Sequence, residues 1–188
     1  VSVMQVQETS EWVPVFRTPV VIGIDTGKRK WSEEVLIDEQ EEEFEFDCER
    51  DPRLVRFDQG NYLLKEWVFE KTADELLYQL HRDDVIGRMW AASELSRYVE
   101  QAAVRKELRR AAREDAFWAV RREAIDTLSE AAGPSDVDLF RECSQDQKSG
   151  VRFAALRALG RMERPELVPF LVERFRADDS YLARAEAI

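Results

Sequence analysis

Residues 117–159 read FWAVRREAIDTLSEAAGPSDVDLFRECSQDQKSGVRFAALRAL, and one pattern occurs twice in and just before this stretch. An aspartate is followed by an arginine, and small or aliphatic residues around that arginine fall on one helix face. The first copy is Asp115, Val120, Arg121, Ala124 and Leu128; the second is Asp146, Val151, Arg152, Ala155 and Leu159. The same signs return upstream at Gly87, Arg88, Ala91 and Leu95, and downstream at Asp178, Ala183, Arg184 and Ala187. The arginines step from 88 to 121, 152 and 184, by 33, 31 and 32 residues, which predicts a stacked array of helical hairpins.

The composition is that of a folded chain with an acidic first half. The chain has 188 residues with 44% hydrophobic and 10% aromatic side chains, enough to bury a core in one or two domains. Residues 1–70 contain 8 Lys and Arg against 17 Asp and Glu (8 − 17 = −9), and residues 71–188 contain 20 against 22 (20 − 22 = −2). The acidic first half argues against a general nucleic-acid binder there.

Residues 1–70 show a period of two, with turn residues between short apolar runs. We predict strands at residues 1–7, 15–24, 31–37, 43–49, 54–57 and 62–69, and turns at residues 25–28 and 59–61. Pro19 cannot donate to a ladder, so it predicts an edge position or a bulge. In residues 43–49 the pattern predicts Phe44, Phe46 and Cys48 inward and the acids outward. Short strands at this spacing predict a small antiparallel β-sandwich over residues 1–70.

Eleven acidic residues lie in residues 33–51, and they allow two interpretations. A calcium site needs oxygens that converge from a tight loop with a glycine at its bend, and this stretch contains no such loop. On an alternating strand the carboxylates would instead form a row on the solvated face. We expect the solvated face, which can also keep a sheet edge from aggregating.

The period changes to 3.6 at residue 72, where Thr72 and Glu75 form a capping box that predicts a helix start. Leu76, Leu77 and Leu80 give this helix its apolar stripe. Further helices are predicted at residues 85–98, 101–114, 116–131, 136–145, 150–162, 166–176 and 180–188. The fold class is therefore α+β and multidomain. An α-solenoid over residues 71–188, truncated at its C-terminus, follows the sandwich of residues 1–70.

The repeated residues have structural explanations. Small side chains at Ala91, Ala124, Ala155 and Ala187 let neighbouring helices approach closely. The aspartates before the arginines can cap the second helix of each hairpin and reach the arginine of an adjacent repeat. This pattern resembles the HEAT repeat, in which Asp and Arg form a ladder along the solenoid. In the first repeat the offset falls on Arg82, beside Asp83 and Asp84, so the ladder is not assured at that end.

A local basic patch lies beside two aromatic residues, Phe117 and Trp118. It consists of Lys106, Arg109, Arg110, Arg113, Arg121 and Arg122. Aromatic and basic side chains together are suited to DNA binding. Acids at positions 107, 114, 115 and 123 are interleaved with the patch, which favours a solvated, salt-bridged helix face. We expect no nucleic-acid partner, and Trp118 to pack between hairpins.

The sequence offers no catalytic, cofactor-binding or metal-binding residue. His81 is the single histidine, so an HExxH zinc pair or a two-histidine metal centre cannot be assembled. No glycine-rich phosphate loop occurs. Cys48 follows the inward strand positions and Cys143 an apolar helix stripe, so we expect two buried, unpaired thiols.

Three segments, together with the order of sandwich and helical hairpins, resemble one family. The segments are residues 14–20 (PVFRTPV), 58–66 (DQGNYLLKE) and 83–92 (DDVIGRMWAA). They resemble the region that follows the catalytic domain in aminopeptidase N-type zinc metallopeptidases. In that family a thermolysin-like domain carries HExxH, an immunoglobulin-like sandwich follows, and a helical superhelix closes over the active site. None of the zinc ligands, nor the catalytic Glu or the Gly-rich exopeptidase motif, has a counterpart here.

The resemblance implies a non-catalytic segment, with zinc and peptide hydrolysis in a catalytic domain absent from this chain. Its expected partners are that upstream domain and the peptide substrate, to which the helices shape access. The alternative is a protein-binding HEAT-repeat scaffold from a degenerate, non-peptidase relative, such as the transcription-initiation factor subunit with the same domain order.

The ends and the composition carry three smaller expectations. A first residue Val1 and a last residue Ile188 in mid-pattern suggest a fragment, which we expect to self-associate or fray at its C-terminal end. No apolar run is long enough to cross a bilayer, so no membrane contact is expected. The compartment is not fixed by the sequence, and the cytoplasm is our expectation.

Overall fold

A computed structural model describes residues 1–187 of the chain. The backbone contacts divide the chain into two compact units, Val1–Glu70 and Lys71–Ile188, of which residue 188 lies outside the described part. The first unit consists of small antiparallel sheets and the second of helices. The predicted α+β fold class, with a helical-repeat solenoid after the sheets, is confirmed.

The first unit contains five described strands in two sheets. These are β1 (Ser2–Met4), β2 (Thr18–Asp25), β3 (Lys30–Ile37), β4 (Glu41–Glu43) and β5 (Leu54–Arg56). β1 pairs with β4, and the second sheet has the order β3-β2-β5, with every pair antiparallel. Alternate residues of β2 face the core, where Val20, Ile22 and Ile24 are buried together with Ile37 of β3.

The turn between β2 and β3 follows from its residues. Gly27 has a φ of 80°, a left-handed conformation that costs glycine little. The Asp25 side chain accepts a hydrogen bond of 2.6 Å from the Gly27 N–H, and the Thr26 N–H bonds to the Arg29 carbonyl at 3.0 Å. As predicted, Pro19 sits where β2 has one neighbour: it lies opposite Leu36 of β3, away from the residues 23–25 that pair with β5.

The strand predicted at residues 43–49 is displaced, since β4 ends at Glu43, and the strand predicted at residues 62–69 is absent. Residues 44–49 form no strand, although Phe44, Phe46 and Cys48 do pack against the core and the acids between them are exposed, as the alternation predicted. Residues 62–69 also form no strand. Here the buried Asp58 carboxylate accepts the N–H groups of Tyr62 and Leu63 at 3.0 and 2.9 Å, which takes those groups out of any ladder.

The second unit contains eight described α-helices. They are α1 (Ala73–Arg82), α2 (Val85–Glu94), α3 (Ala102–Glu114), α4 (Trp118–Ser129), α5 (Val137–Cys143), α6 (Ser149–Arg161), α7 (Val168–Ala177) and α8 (Tyr181–Glu186). Short 3-10 turns at Leu95–Tyr98, Pro134–Asp136 and Pro165–Leu167 extend α2 and precede α5 and α7. The predicted final helix reaches residue 188, which lies outside the described residues.

Helices α1 and α2 begin where the capping residues predict. The Thr72 hydroxyl accepts from the Glu75 N–H at 3.3 Å, and the Glu75 carboxylate accepts from the Thr72 N–H at 2.9 Å, so the predicted capping box is confirmed. The Asp84 side chain accepts from the Gly87 N–H at 2.8 Å and caps α2. Both caps satisfy N–H groups that the first helical turn leaves without a partner.

Consecutive helices pair as hairpins, and the second helices of the hairpins form a row. In that row α2 packs on α4, α4 on α6 and α6 on α8. Ala91, Ala124 and Ala155 are fully buried in this row, and Ala187 is nearly so. Small side chains at these positions allow close approach of the backbones, which confirms their predicted role.

Candidate functional site

The repeated arginines join each hairpin to the next. Arg121 donates from Nε and Nη2 to the two carboxylate oxygens of Asp146 at 2.8 and 2.9 Å, and from Nη1 to the Asp115 carbonyl at 2.8 Å. Arg152 does the same with Asp178, at 2.8 Å for both bonds, and with the Asp146 carbonyl at 3.0 Å. The planar guanidinium matches the carboxylate in two parallel bonds, the stronger class of ion pair. The predicted ladder is present in these repeats.

The ladder also reaches the first hairpin, with one shift. Arg88 binds the Asp115 carboxylate at 2.9 and 3.1 Å and donates to the Asp83 carbonyl at 3.0 Å. In the other repeats the aspartate lies six residues before the arginine, and here that position is Arg82. Asp83, one residue later, supplies the backbone oxygen instead. The hydrogen bond forms because it needs only a carbonyl, which any residue provides.

The aspartates hold the turn inside each hairpin rather than capping the second helix directly. Asp115 accepts from the Phe117 N–H at 2.8 Å, and Asp146 accepts from the Lys148 N–H at 2.8 Å. Phe117 and Lys148 are themselves the N-cap residues of α4 and α6, and neither side chain caps its helix. The predicted cap therefore lies two residues too early, because an aspartate bonds most readily to the backbone two positions ahead.

These contacts shift the pKa values of the aspartates and arginines of the ladder. Burial would raise the pKa of Asp146, but the Arg121 hydrogen bond and the Lys148 N–H outweigh it and lower the pKa. The hydrogen bond from Arg152 holds the pKa of Asp178 well below its usual range. The same bonds raise the pKa values of Arg121 and Arg152, so both members of each pair stay charged at neutral pH.

A second ion cluster, which the sequence analysis missed, joins α3 to the following hairpin. The Asp136 side chain is fully buried and accepts from Arg105 at 2.5 Å and from Arg109 at 2.7 and 2.9 Å. The Gly133 N–H also donates to it, at 2.9 Å. In the sequence, the feature that could have predicted this cluster is the pair Arg105 and Arg109, which lie one helical turn apart. Asp136 was predicted only as the start of a helix.

The basic patch is largely neutralised. Arg109 and Arg121 bind Asp136 and Asp146, and Arg113 binds Glu142 at 2.8 Å. Arg122 lies over the Trp118 ring, 5.7 Å from its centroid. Trp118 packs between hairpins, as expected. Its ring fills the space beside Gly150, and a Cβ atom added to that glycine would lie 2.7 Å from Trp118 Cζ3.

His81 connects α1 to α3 beside an open cavity of about 370 Å³. Its Nδ1 accepts from Arg110 Nη2 at 2.5 Å, and its Nε2 lies 3.1 Å from Glu107 Oε2. Burial lowers the pKa of His81, Arg110 lowers it further, and Glu107 opposes both. His81 is therefore a neutral bridge between two hairpins at pH 7.

The two cysteines are unpaired among the described residues. Cys143 is buried, and its thiol lies 3.7 Å from the Ala112 carbonyl. Burial raises the pKa of Cys143 to about 12, and Glu142 adds to the rise. Within residues 1–187, no group of three or more His, Cys, Asp or Glu side chains is arranged to hold a metal ion. No helix in the described part of the chain is long and apolar enough to cross a membrane.

Comparisons with known proteins agree with this geometry. A family model described as HEAT repeats matches residues 73–149 and again residues 105–188. None of the curated proteins matches the chain.

Two solved structures share the fold at low identity. Aminopeptidase A from Legionella pneumophila, solved with aspartic acid, matches with a TM-score of 0.64 and 14% identity over 92% of this chain. The complex of CpcE and CpcF of phycocyanin lyase from Nostoc sp. PCC7120 matches with a TM-score of 0.50 and 20% identity over 68% of this chain. The chain spans 28% of the first protein's length and 56% of the second's.

Proposed function

Because this chain belongs to the HEAT-repeat family, we propose that it is a non-catalytic helical scaffold that holds a polypeptide partner. The observation that carries this proposal is that its repeated arginines and a buried aspartate form ion pairs between hairpins. The repeated Arg121 and Arg152, and the buried Asp136, all join one hairpin to the next. Side chains committed in this way stabilise a stacked array, whose remaining helix surfaces are available for recognition.

We further propose that the parent protein is an aminopeptidase-type zinc metallopeptidase, in which this chain follows the catalytic domain. The similarity to Legionella aminopeptidase A supports this proposal because it extends over 92% of the chain, beyond the helical repeats. Zinc and peptide hydrolysis would then belong to the upstream domain. The sheet unit would act as a spacer, and the helices would shape the access of peptides to a site elsewhere.

A second candidate is a protein-binding scaffold from a relative without peptidase activity. The similarity to CpcE and CpcF favours it, since these proteins form a complex with each other in a phycocyanin lyase. In this case the partner would be another protein and the parent would hold no zinc.

The two candidates differ in what precedes this chain in its parent. The coding sequence upstream should contain HExxH followed by a further Glu if the parent is a peptidase. The purified parent should then contain zinc and release 4-nitroaniline from amino-acid 4-nitroanilides, while this chain alone does neither. An upstream region without HExxH, from a parent that holds no zinc, would select the scaffold. Hydrolysis by this chain alone would contradict both candidates.

A further inference from the structure

Residues 62–69 keep the side-chain pattern of a β-strand although they belong to no sheet. The odd-numbered residues from Leu63 to Phe69 are half-buried, and the even-numbered residues between them are exposed. On the half-buried face, Lys65 Nζ lies 5.4 Å from the centroid of the Trp67 ring, and the Trp67 and Phe69 centroids are 5.8 Å apart. Contacts between residues two apart on one face indicate an extended backbone, because in a helix such residues do not face each other.

The half-buried face of this segment is held on the sheet unit. Leu63 packs against the core of the sheet. The Lys65 ammonium donates to the buried Asp58 carboxylate at 2.5 Å, and the centroid of the Trp67 ring lies 6.0 Å from that of Phe57. These contacts keep the segment in place, so its opposite face and its backbone edge have a defined position.

The opposite face carries apolar side chains in solvent. Leu64 is fully exposed, and Tyr62 and Val68 are 83% and 85% exposed. The remaining even-numbered residue on this face, Glu66, is exposed as well. Apolar side chains collected on one exposed face indicate a surface that a partner covers.

The backbone of the same residues has an open edge. In an extended chain, the N–H and C=O groups of alternate residues point to the same side. Among residues 1–187, the backbone groups of Leu64, Glu66 and Val68 make no hydrogen bond. Three N–H and three C=O groups therefore lie along one edge, and a row of this kind is a template for a further strand.

We infer that a β-strand of a partner polypeptide adds to this edge, antiparallel to residues 64–68. Backbone hydrogen bonds hold the added strand, and the side chains opposite each other select it. Opposite Leu64 and Val68 the partner carries apolar side chains, and opposite Glu66 it carries Lys or Arg. A second copy of this chain is disfavoured, because pairing all three residues with their own copies places Glu66 opposite Glu66.

The proposed site lies on the sheet unit, for which the proposed function names only a spacer role. Binding of a strand here requires neither zinc nor the concave surface of the helical array. Either proposal can therefore fail while the other stands.

The test is the binding of a labelled peptide to the whole chain. The probe is the fluorescein-labelled peptide TVTKTVT with blocked ends, whose valine, lysine and valine side chains lie opposite Val68, Glu66 and Leu64 in the antiparallel pairing. Fluorescence anisotropy measures the dissociation constant, and we expect saturable binding at peptide concentrations up to about 1 mM.

N-methylation of the peptide separates strand addition from general adhesion. Methylating the two valine amides removes N–H groups that face the edge and should weaken binding about tenfold or more. Methylating the two inner threonine amides is the matched control, because these N–H groups point away from the edge, and it should change binding little.

Variants of the protein test the side chains. Leu64→Ser should weaken binding about threefold, and because Leu64 is fully exposed its circular dichroism should stay unchanged. Leu182→Ser changes an exposed leucine of α8 in the helical unit and should leave binding unchanged. Glu66→Lys should weaken the binding of TVTKTVT and strengthen that of TVTETVT, each by about threefold.

The absence of binding up to about 1 mM peptide, or equal losses from the two methylation patterns, would overturn strand addition. Equal responses of the two peptides to Glu66→Lys would overturn the basic residue assigned to the partner. Sedimentation of the chain without peptide tests the other occupant. A dimer that Leu64→Ser dissociates would mean that a second copy, and not a different polypeptide, occupies the edge.

Discussion

At the scale of single residues, the stability that the ladder provides depends on whether each charge keeps its partner, and less on how many charges there are. The side chains of Arg121 and Asp146 are each 15% exposed, so water replaces a lost partner poorly. An ion pair of this kind contributes modestly when intact, but removing one member leaves a charge that is largely buried and unpaired.

We therefore expect Asp146→Ala to lower the free energy of unfolding by about 3 kcal/mol. Urea denaturation followed by helical circular dichroism measures the change. Asp138→Ala, an exposed acid at the start of α5, is the matched control and should cost under about 1 kcal/mol. Arg121→Met combined with Asp146→Ala should cost less than the sum of the single changes, and additive costs would contradict a coupled pair.

His81 should make the stability of the fold depend on pH, and the direction of this dependence follows from its pKa. Its pKa in the folded chain lies below the 6.5 of an unperturbed histidine, chiefly because of burial and Arg110. Between those two pKa values the unfolded chain binds a proton that the folded chain does not, so stability falls as the pH falls below about 6.5. A protonated ring would also turn a second N–H towards Arg110, which now donates to it.

The measurement is the unfolding midpoint of the chain and of His81→Gln between pH 7.5 and about pH 5. We expect the chain to lose stability faster than the variant over this range, because the variant lacks the titrating group. Parallel curves for the two proteins would show that His81 contributes no linkage.

At the scale of elements, helix starts are set by short local signals. The side chains of Thr72 and Glu75 each accept a hydrogen bond from the other residue's backbone N–H, and α1 begins at Ala73, directly after Thr72. Strands depend on a neighbour instead, which explains why residues 44–49 keep an alternating burial without being a strand. Apolar alternation places side chains on two faces, whereas a ladder needs a second backbone at hydrogen-bonding distance.

Thr72→Ala should cost about 1 kcal/mol, because it removes the hydroxyl that accepts the Glu75 N–H. Ser149→Ala at the first residue of α6 is the control, since α6 has no side-chain cap, and should change stability by less than about 0.5 kcal/mol. Thermal unfolding at the helical circular-dichroism signal measures both. Equal effects of the two substitutions would argue against the capping box.

At the scale of the whole molecule, each hairpin is stabilised by the layers on either side. α4 contacts both α2 and α6, and it carries buried Val120, Ile125 and Leu128. α7 contains no fully buried residue, and α8 packs on α6 and α7. An array of this kind is stable where it has two neighbouring layers and weaker where it has one.

Native-state hydrogen exchange should therefore follow position in the array. We expect the slowest amides in α4 and α6 and faster exchange in α8, by about a hundredfold or more, since local opening there exposes fewer buried side chains. The central helices serve as the internal control within one sample. An α8 protected as well as α4 in a monomeric chain would contradict both this expectation and the self-association or fraying predicted from the sequence.

The sequence by itself determined the period, the starts of α1 and α2, and the arginine–aspartate ladder. These depend on residues close together in the chain, or on one arrangement repeated about every thirty-two residues. Only the tertiary structure decided that Asp136 receives two arginines, that His81 bridges α1 and α3, and that residues 62–69 leave the sheet. Each of these depends on which backbone lies across from which, and such distances between layers are set by packing rather than by local spacing.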